Sequence, residues 1–309
     1  LNAFALTKQS DFAQLNYFEL NLYLNFQFMY SFDKILVALD HTDLDRELIE
    51  AASFTSTLAG TTHVYFINVV KDLNIPKKIQ QEFPGMLSNA VQERTENIEK
   101  VIKEVFKNKR VKTHIEIESG NPTRAILKYS VQKKIDLILM GRKNKRKEGG
   151  TLINRLARKA ACSLLIIPLD SRKRVEKILV PIDFSKYSIS ALKQAIQLAV
   201  PHLPNVKIYT QNVFQVPNGY HYTGKSFKDF AKIMKENAEK DYKALISEID
   251  TQGVDIEPVY TLDKSDNIIA KIYSTGLRLD ADAIVIGAKG RTDTTALFIG
   301  SSAEKLIHI

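Results

Sequence analysis

Lys34-Ile35-Leu36-Val37-Ala38-Leu39-Asp40 is answered by Lys177-Ile178-Leu179-Val180-Pro181-Ile182-Asp183. Each stretch starts on lysine, runs through β-branched and aliphatic residues, and stops on aspartate. A short apolar run without polar alternation reads as a strand buried on both faces of a parallel sheet. A second pair repeats the relation: Asp136-Leu137-Ile138-Leu139-Met140-Gly141 answers Asp282-Ala283-Ile284-Val285-Ile286-Gly287. Self-similarity at this separation means two copies of one unit. The chain has 309 residues, a length that suits two domains of about 150 residues each.

Around these anchors, apolar runs alternate with longer segments of 3.6-residue period. In the first copy, strands are expected at 34–39, 63–69, 111–117, 135–140 and 163–167. Between them, Val91, Ile98, Ile102 and Val105 fall on one helical face. Asn121-Pro122 offers an N-cap followed by proline at the first helical position. In the second copy, strands are expected near 177–182, 206–213, 254–260 and 282–286, with helices near 186–200, 226–250 and 266–278. The alternation implies an α/β fold with helices on both faces of a parallel sheet. Right-handed crossovers make each sheet doubly wound. The domains are read as a 1–30 extension, a first repeat at 31–170 and a second at 174–309. The first repeat continues through a helix to a strand at 163–167. The second ends nine residues after Gly300, so it is expected to lack its last strand and to leave a sheet edge unpaired.

Composition excludes several classes. The chain is 44% hydrophobic and 26% charged, near globular averages, which excludes disordered and fibrous chains. A single cysteine, Cys162, excludes an intramolecular disulfide framework and a cysteine zinc cluster, and a reducing, cytoplasmic setting follows. Cys162 is read as a small buried residue at the start of the last strand. The net charge of +9 invites anionic partners. Much of the excess lies in Arg142-Lys143-Asn144-Lys145-Arg146-Lys147 and Arg172-Lys173-Arg174. Neither run contains an aromatic residue, which disfavours nucleic acid as a partner. Residues 1–30 hold eight of the 27 aromatics but only Lys8, Asp11 and Glu19 as charges. They form neither a secretory signal nor a membrane span. Because Met29 stands just before the repeat, residues 1–28 are read as translated upstream sequence. The rival reading is an amphipathic arm for a partner.

Ligands of open α/β sheets bind beyond the carboxyl ends of strands. Asp183 ends strand one of the second copy, where its carboxylate can accept hydrogen bonds from a base or ribose. It can equally cap the next helix, as can Ser185. After strand four come Gly287-Ala288-Lys289-Gly290, nine residues, and Gly300-Ser301-Ser302. Glycines let backbone N–H groups approach phosphate oxygens. A Gly-Ser helix start favours an anion, and Lys289 and Arg291 can offset its charge. The alternative is an ordinary glycine turn and serine cap. No P-loop and no G-x-G-x-x-G fingerprint is present, which disfavours P-loop NTPases and dinucleotide dehydrogenases. The six histidines lack metal-ligand spacing, and no nucleophile–base pair is visible, so no catalytic or metal-binding residue is assigned. Pro217 to Tyr222 is turn-rich and aromatic, and reads as a nucleotide lid, a partner contact or an ordinary packed loop.

The duplicated strand-one aspartate, the G-x2-G-x9-G-S spacing and the βαβ order together resemble the universal stress protein family, from about Ser31 onward. The second-copy glycine motif resembles its ATP-binding branch. The resemblance implies tandem flavodoxin-like, adenine nucleotide α-hydrolase-like sheets of strand order 3-2-1-4-5. It implies that Asp183 contacts adenine and that Val213 contacts the base. It further implies that Gly287, Gly290, Gly300 and Ser301 hold ribose and phosphates, with Ser302 as an added hydroxyl donor, and that Mg²⁺ accompanies ATP. The two repeats are expected to pair about a pseudo-two-fold axis within the chain, with a homo-oligomer or a protein partner left open. In the first copy, Asp40 and Val69 are retained, but Asn144 replaces the second glycine and only five residues precede Gly150-Thr151. That loop is too short to wrap a triphosphate in the same way. The expected function is a stress-related adenine-nucleotide sensor or signalling module using the second repeat. The alternatives are a nucleotide-independent interaction module of the same fold and a slow ATPase.

Overall fold

The computed structural model describes residues 32–70, 82, 85–142, 150–168, 171, 174–200, 204–288 and 301–307. The expectations for residues 1–30, Gly290, Gly300, Lys289, Arg291 and most of the basic runs lie outside these residues. The chain forms two compact units, one gathering Phe32–Arg174 with Thr292–Ile309 and the other built on Val175–Arg291.

In the first unit the order is β1 (Lys34–Leu39), α1 (Leu44–Leu58), β2 (His63–Val70), α2 (Met86–Val105), β3 (Lys112–Ser119), α3 (Pro122–Lys133), β4 (Leu137–Arg142), α4 (Gly150–Lys159) and β5 (Ser163–Pro168). All strands pair in parallel in the order β3-β2-β1-β4-β5. β1 is central, with Leu36 opposite Tyr65 on one side and Ile138 on the other. This placement explains its unbroken apolar run, since neither face nor edge meets water. Leu36, Ile67 and Ile138 pack with Ile126 of α3 and Ile153 and Leu156 of α4. α3 begins on the expected cap, Asn121 accepting from the Arg124 N–H at 3.1 Å. Along α2, Ile98 and Val105 are buried but Val91 is 42% exposed. At 20 residues the helix is about 30 Å long, longer than the strands it covers, so its first turns overhang. Cys162 lies just before β5 and is half-buried rather than buried.

The second unit repeats the plan with β6 (Lys177–Pro181), α5 (Lys186–Ala199), β7 (Lys207–Phe214), a 3₁₀ turn (Tyr220–Thr223), α6 (Phe227–Ser247), β8 (Asp255–Leu262), α7 (Ile268–Leu279) and β9 (Ala283–Ile284). Its parallel order is β8-β7-β6-β9, the same as the first sheet without the fifth strand. β9 is shorter than the expected 282–286 run. A strand is counted by its ladder bonds, and among the described residues β9 pairs with β6 alone. Ile178, Val180 and Ile182 pack under Leu192, Ala195 and Ile196 of α5. On the opposite face, Ile284 is 37% exposed, whereas its counterpart Ile138 in β4 is fully buried. A last helix, α8 (Ser301–Leu306), belongs with the first unit. Ile307 joins the first repeat's core, Glu304 pairs with Arg158, and Arg142 donates to the Ile307 carbonyl at 3.2 Å.

The matching aspartates of strand four share a task. Asp136 accepts from the Lys34 N–H at 2.9 Å, and Asp282 accepts from the Glu176 and Lys177 N–H groups at 2.9 and 3.0 Å. Each ties the start of strand four to the start of strand one.

Candidate functional site

The chain turns sharply where strand one of each repeat ends. The residue after each aspartate, His41 and Phe184, has a positive φ of 62° and 63°. This left-handed conformation is costly for side chains of that size. It turns the chain from the strand into the following helix and leaves the aspartate at the sheet's carboxyl edge. In the second repeat, Asp183 Oδ1 accepts from the Ser185 N–H at 3.0 Å, and Ser185 Oγ accepts from the Ser188 N–H at 3.2 Å. Ser185 is therefore the helix cap, and Asp183 organises the turn ahead of it. The Asp183 N–H in turn donates to Ser188 Oγ at 3.4 Å. Asp183 is half-buried.

The first repeat builds the same turn with a different side chain. Asp45, at the position matching Ser188, accepts from the Asp40 and His41 N–H groups at 3.0 and 2.8 Å. Thr42 Oγ1 donates to Asp40 Oδ1 at 2.6 Å. This edge therefore carries two carboxylates close together. Burial raises the Asp45 carboxyl above its ordinary range, and the Asp40 charge adds to that, against the lowering effect of the two N–H donors. In the second repeat, the neutral Ser188 removes that second charge.

Two asparagines brace these edges. Asn212 Nδ2 donates to the Ile182 carbonyl at 2.9 Å, and Asn68 Nδ2 donates to the Leu39 carbonyl at 3.0 Å. Each bolts the end of strand two to the end of strand one, which positions the residue that follows it, Val213 or Val69. Val213 stands opposite Thr261 in β8 and is half-buried. Gly287 closes the other side. A Cβ there would lie 2.7 Å from the Tyr187 carbonyl carbon and 3.1 Å from the Ser188 nitrogen. Only glycine lets this segment pass so close to the first turn of α5. At the matching Gly141, a Cβ would meet the side chains of Leu44 and Leu48 instead of backbone.

Asp183, Val213 and Gly287 thus belong to one unit, at the carboxyl ends of three adjacent strands or just beyond them. Ser301 and Ser302 open α8 in the other unit. Gly290 and Gly300 fall outside the described residues. Sequence reasoning missed Ser188, whose role appears only when the repeats are aligned. Nor does the sequence by itself give Asn212 its bracing role. It also missed Asp263, just after β8. Burial alone would raise that carboxyl, but donors from the Ser265 N–H, Gln215 amide and Ser265 hydroxyl outweigh burial and hold it below the usual range.

The other candidate groups are packed to differing degrees. Tyr220 packs on Phe227 and Phe230, with ring centroids 5.6 and 6.4 Å apart, while Tyr222 is 87% exposed. Burial pushes the Cys162 thiol up to about 11, leaving little thiolate at neutral pH. Among the described residues, no group of three or more His, Cys, Asp or Glu could hold a metal ion. No helix among them is long and apolar enough to cross a membrane.

The model of the universal stress protein family matches residues 31–168 and 174–309. No curated protein sequence matches the chain. Among solved structures, a universal stress protein from Archaeoglobus fulgidus DSM 4304 is similar at 16% identity and a TM-score of 0.60, over 90% of this chain and 95% of that one. A functionally unknown protein from Pseudomonas aeruginosa PAO1 is similar at 16% identity and a TM-score of 0.59, over 92% and 90% of the two chains. At such identities these likenesses speak for the fold.

Proposed function

Because the chain belongs to the universal stress protein family, with two of its domains in tandem, we propose that the second repeat binds an adenine nucleotide, ATP, and that the protein works as a nucleotide-dependent sensor or signalling module. The observation that carries this reading is the exchange of Asp45 for Ser188 between otherwise matching strand-one edges. A triphosphate approaching the first repeat meets two carboxylates, one of them raised by burial and further by the other's charge. The same approach in the second repeat meets Asp183 alone. The close passage of Gly287 against α5 supports the reading further, because it brings the start of the glycine segment to the carboxyl edge of the sheet.

In this proposal Asp183 accepts hydrogen bonds from the base or ribose, and Val213 supplies an apolar contact for the base. Gly287 and Gly290 offer N–H groups to ribose and phosphates. Mg²⁺ needs few protein ligands when phosphate oxygens hold it, which suits a site without a carboxylate cluster. Ligand binding biases the protein only if its two states bind ATP unequally.

Calorimetry with Mg-ATP on nucleotide-stripped protein tests this directly. One ATP per chain is expected. Asp183→Ala should weaken binding about tenfold or more, the worth of one lost hydrogen bond to a charged group, while Asp40→Ala changes little. Equal losses in the two variants would assign binding to both repeats. An absence of heat in the wild type would leave a nucleotide-independent interaction module, a reading that Leu277 of α7 and Ile284 of β9, 65% and 37% exposed, favour.

A further inference from the structure

We infer that the groove between α3 and α4 of the first repeat is a binding site for a small, base-free, polyphosphorylated anion. The groove is shallow and open to solvent, with about 640 Å³ of accessible space, and is lined by Arg124 and Lys128 of α3, Arg155 and Lys159 of α4, and Thr123 and Leu127. This inference does not rest on the nucleotide reading, which concerns the other repeat.

The charge distribution carries the argument. Neither α3 nor α4 contains a single Asp or Glu. Each helix instead repeats a cation at i and i+4, a spacing at which like charges repel and weaken the helix. All four side chains are exposed. Among the described residues, none of them forms an ion pair. Some cations elsewhere on the protein do find partners: Arg158 pairs with Glu304, Arg46 with Glu104, and Lys207 with Asp255 and Glu257. Four uncompensated cations facing one concavity make a local field that an anion would relieve.

The geometry selects the anion. Cations one helical turn apart are about 6 Å apart along each wall, and packed helices stand about 8–10 Å apart. Those spacings suit several phosphates on one compact scaffold. Two of the cations are arginines, whose planar forks take phosphate oxygens in pairs. No aromatic side chain lines the groove, so there is no platform on which a nucleic-acid base could stack. The feature is also private to the first repeat. Aligning the caps Asn121 and Asn267 places Ala270 and Ser274 of α7 where α3 has Arg124 and Lys128.

Two probes separate the sources of such a ligand: inorganic tripolyphosphate for a phosphate chain, and inositol hexakisphosphate for a phosphorylated polyol. Each is titrated calorimetrically into the full chain without divalent cations, at low and at physiological salt. One probe molecule per chain is expected, bound more weakly at higher salt. Affinity should drop about tenfold or more in Arg124→Gln/Arg155→Gln and again in Lys128→Gln/Lys159→Gln, and stay unchanged in Asp183→Ala. These residues are exposed, so circular dichroism should show the fold intact. The tighter probe names the source. Failure of both probes to bind at millimolar concentration overturns the inference, as do wild-type affinities in both double variants. Loss of binding in Asp183→Ala overturns it by moving the anion to the nucleotide edge. Tighter binding of a 20-nucleotide RNA than of either probe overturns it in favour of nucleic acid.

Discussion

The edge of the first repeat holds Asp40 and Asp45 where the edge of the second holds Asp183 and Ser188. The backbones there are alike: both repeats place a left-handed residue after the aspartate, and both brace strand one with an asparagine from strand two. One fold thus presents two electrostatically different mouths. Duplication kept the scaffold, and a side chain in the first turn of the next helix, Asp45 or Ser188, changes the charge of the edge, beside the shorter glycine loop of the first repeat. The repeats differ again at the far side of the sheet, where β4 is flanked by β5, while among the described residues β9 pairs with β6 alone.

The covered and uncovered strands make the largest test. Ile138→Ala should cost about 2–5 kcal/mol, because a fully buried isoleucine leaves a cavity. Ile284→Ala should cost less than about 1 kcal/mol, since that side chain already meets solvent. Hydrogen exchange on peptides from each strand reads the two repeats separately, which a single melting curve would not. Equal losses would mean that the exposed part of Ile284 is covered in solution.

A smaller contrast separates the two glycines. Gly287→Ala should destabilise the second repeat by about 1–3 kcal/mol, because its Cβ meets rigid backbone. Gly141→Ala should cost less, since the ends of Leu44 and Leu48 can turn aside. Urea unfolding followed by the same exchange measurement compares them. A reversed order would show that the β9–α5 approach relaxes easily.

The smallest effect is a pH dependence. The Asp45 carboxyl is raised in the folded state, so its contribution to stability is present below the unfolded carboxylate range, near pH 4, and is lost as pH rises through the folded value. Asp45→Ser copies the second repeat and removes this dependence. Relative to the wild type, the variant should gain stability between pH 4 and pH 7 in urea titrations of the first repeat. A constant difference across that range would mean that Asp45 carries no charge cost. The same variant sharpens the functional comparison, since ATP should bind the first repeat no more weakly after the exchange.

Much of this was legible in the chain itself. Apolar runs placed each of the nine described strands to within about two residues at either end, because a strand in a parallel sheet tolerates few polar residues. Asn121 announced its helix because an Asn-Pro pair has few other uses. The exceptions follow a rule. Val91 fits the helical period yet is exposed, since periodicity tells which face is apolar but not how far the sheet extends beneath it. β9 is short because a strand also needs its neighbours, and composition counts only its own residues. Ser188 looked like any helix-start serine, and its meaning came from Asp45 standing at the same place in the other repeat.

By itself, the sequence determined the duplication, the order of strands and helices, and the aspartate that ends each first strand. These follow from local rules: hydrophobic period, capping chemistry, and the repetition of a segment. Only the tertiary structure decided which groups meet. It placed Asp45 against the N–H of Asp40, passed Gly287 over the first turn of α5, and gathered Arg124, Lys128, Arg155 and Lys159 into one groove from two separate helices. Electrostatic and steric interactions act through space over a few ångströms. Residues some 30 positions apart in the chain therefore form a site only once the sheet has set its helices side by side.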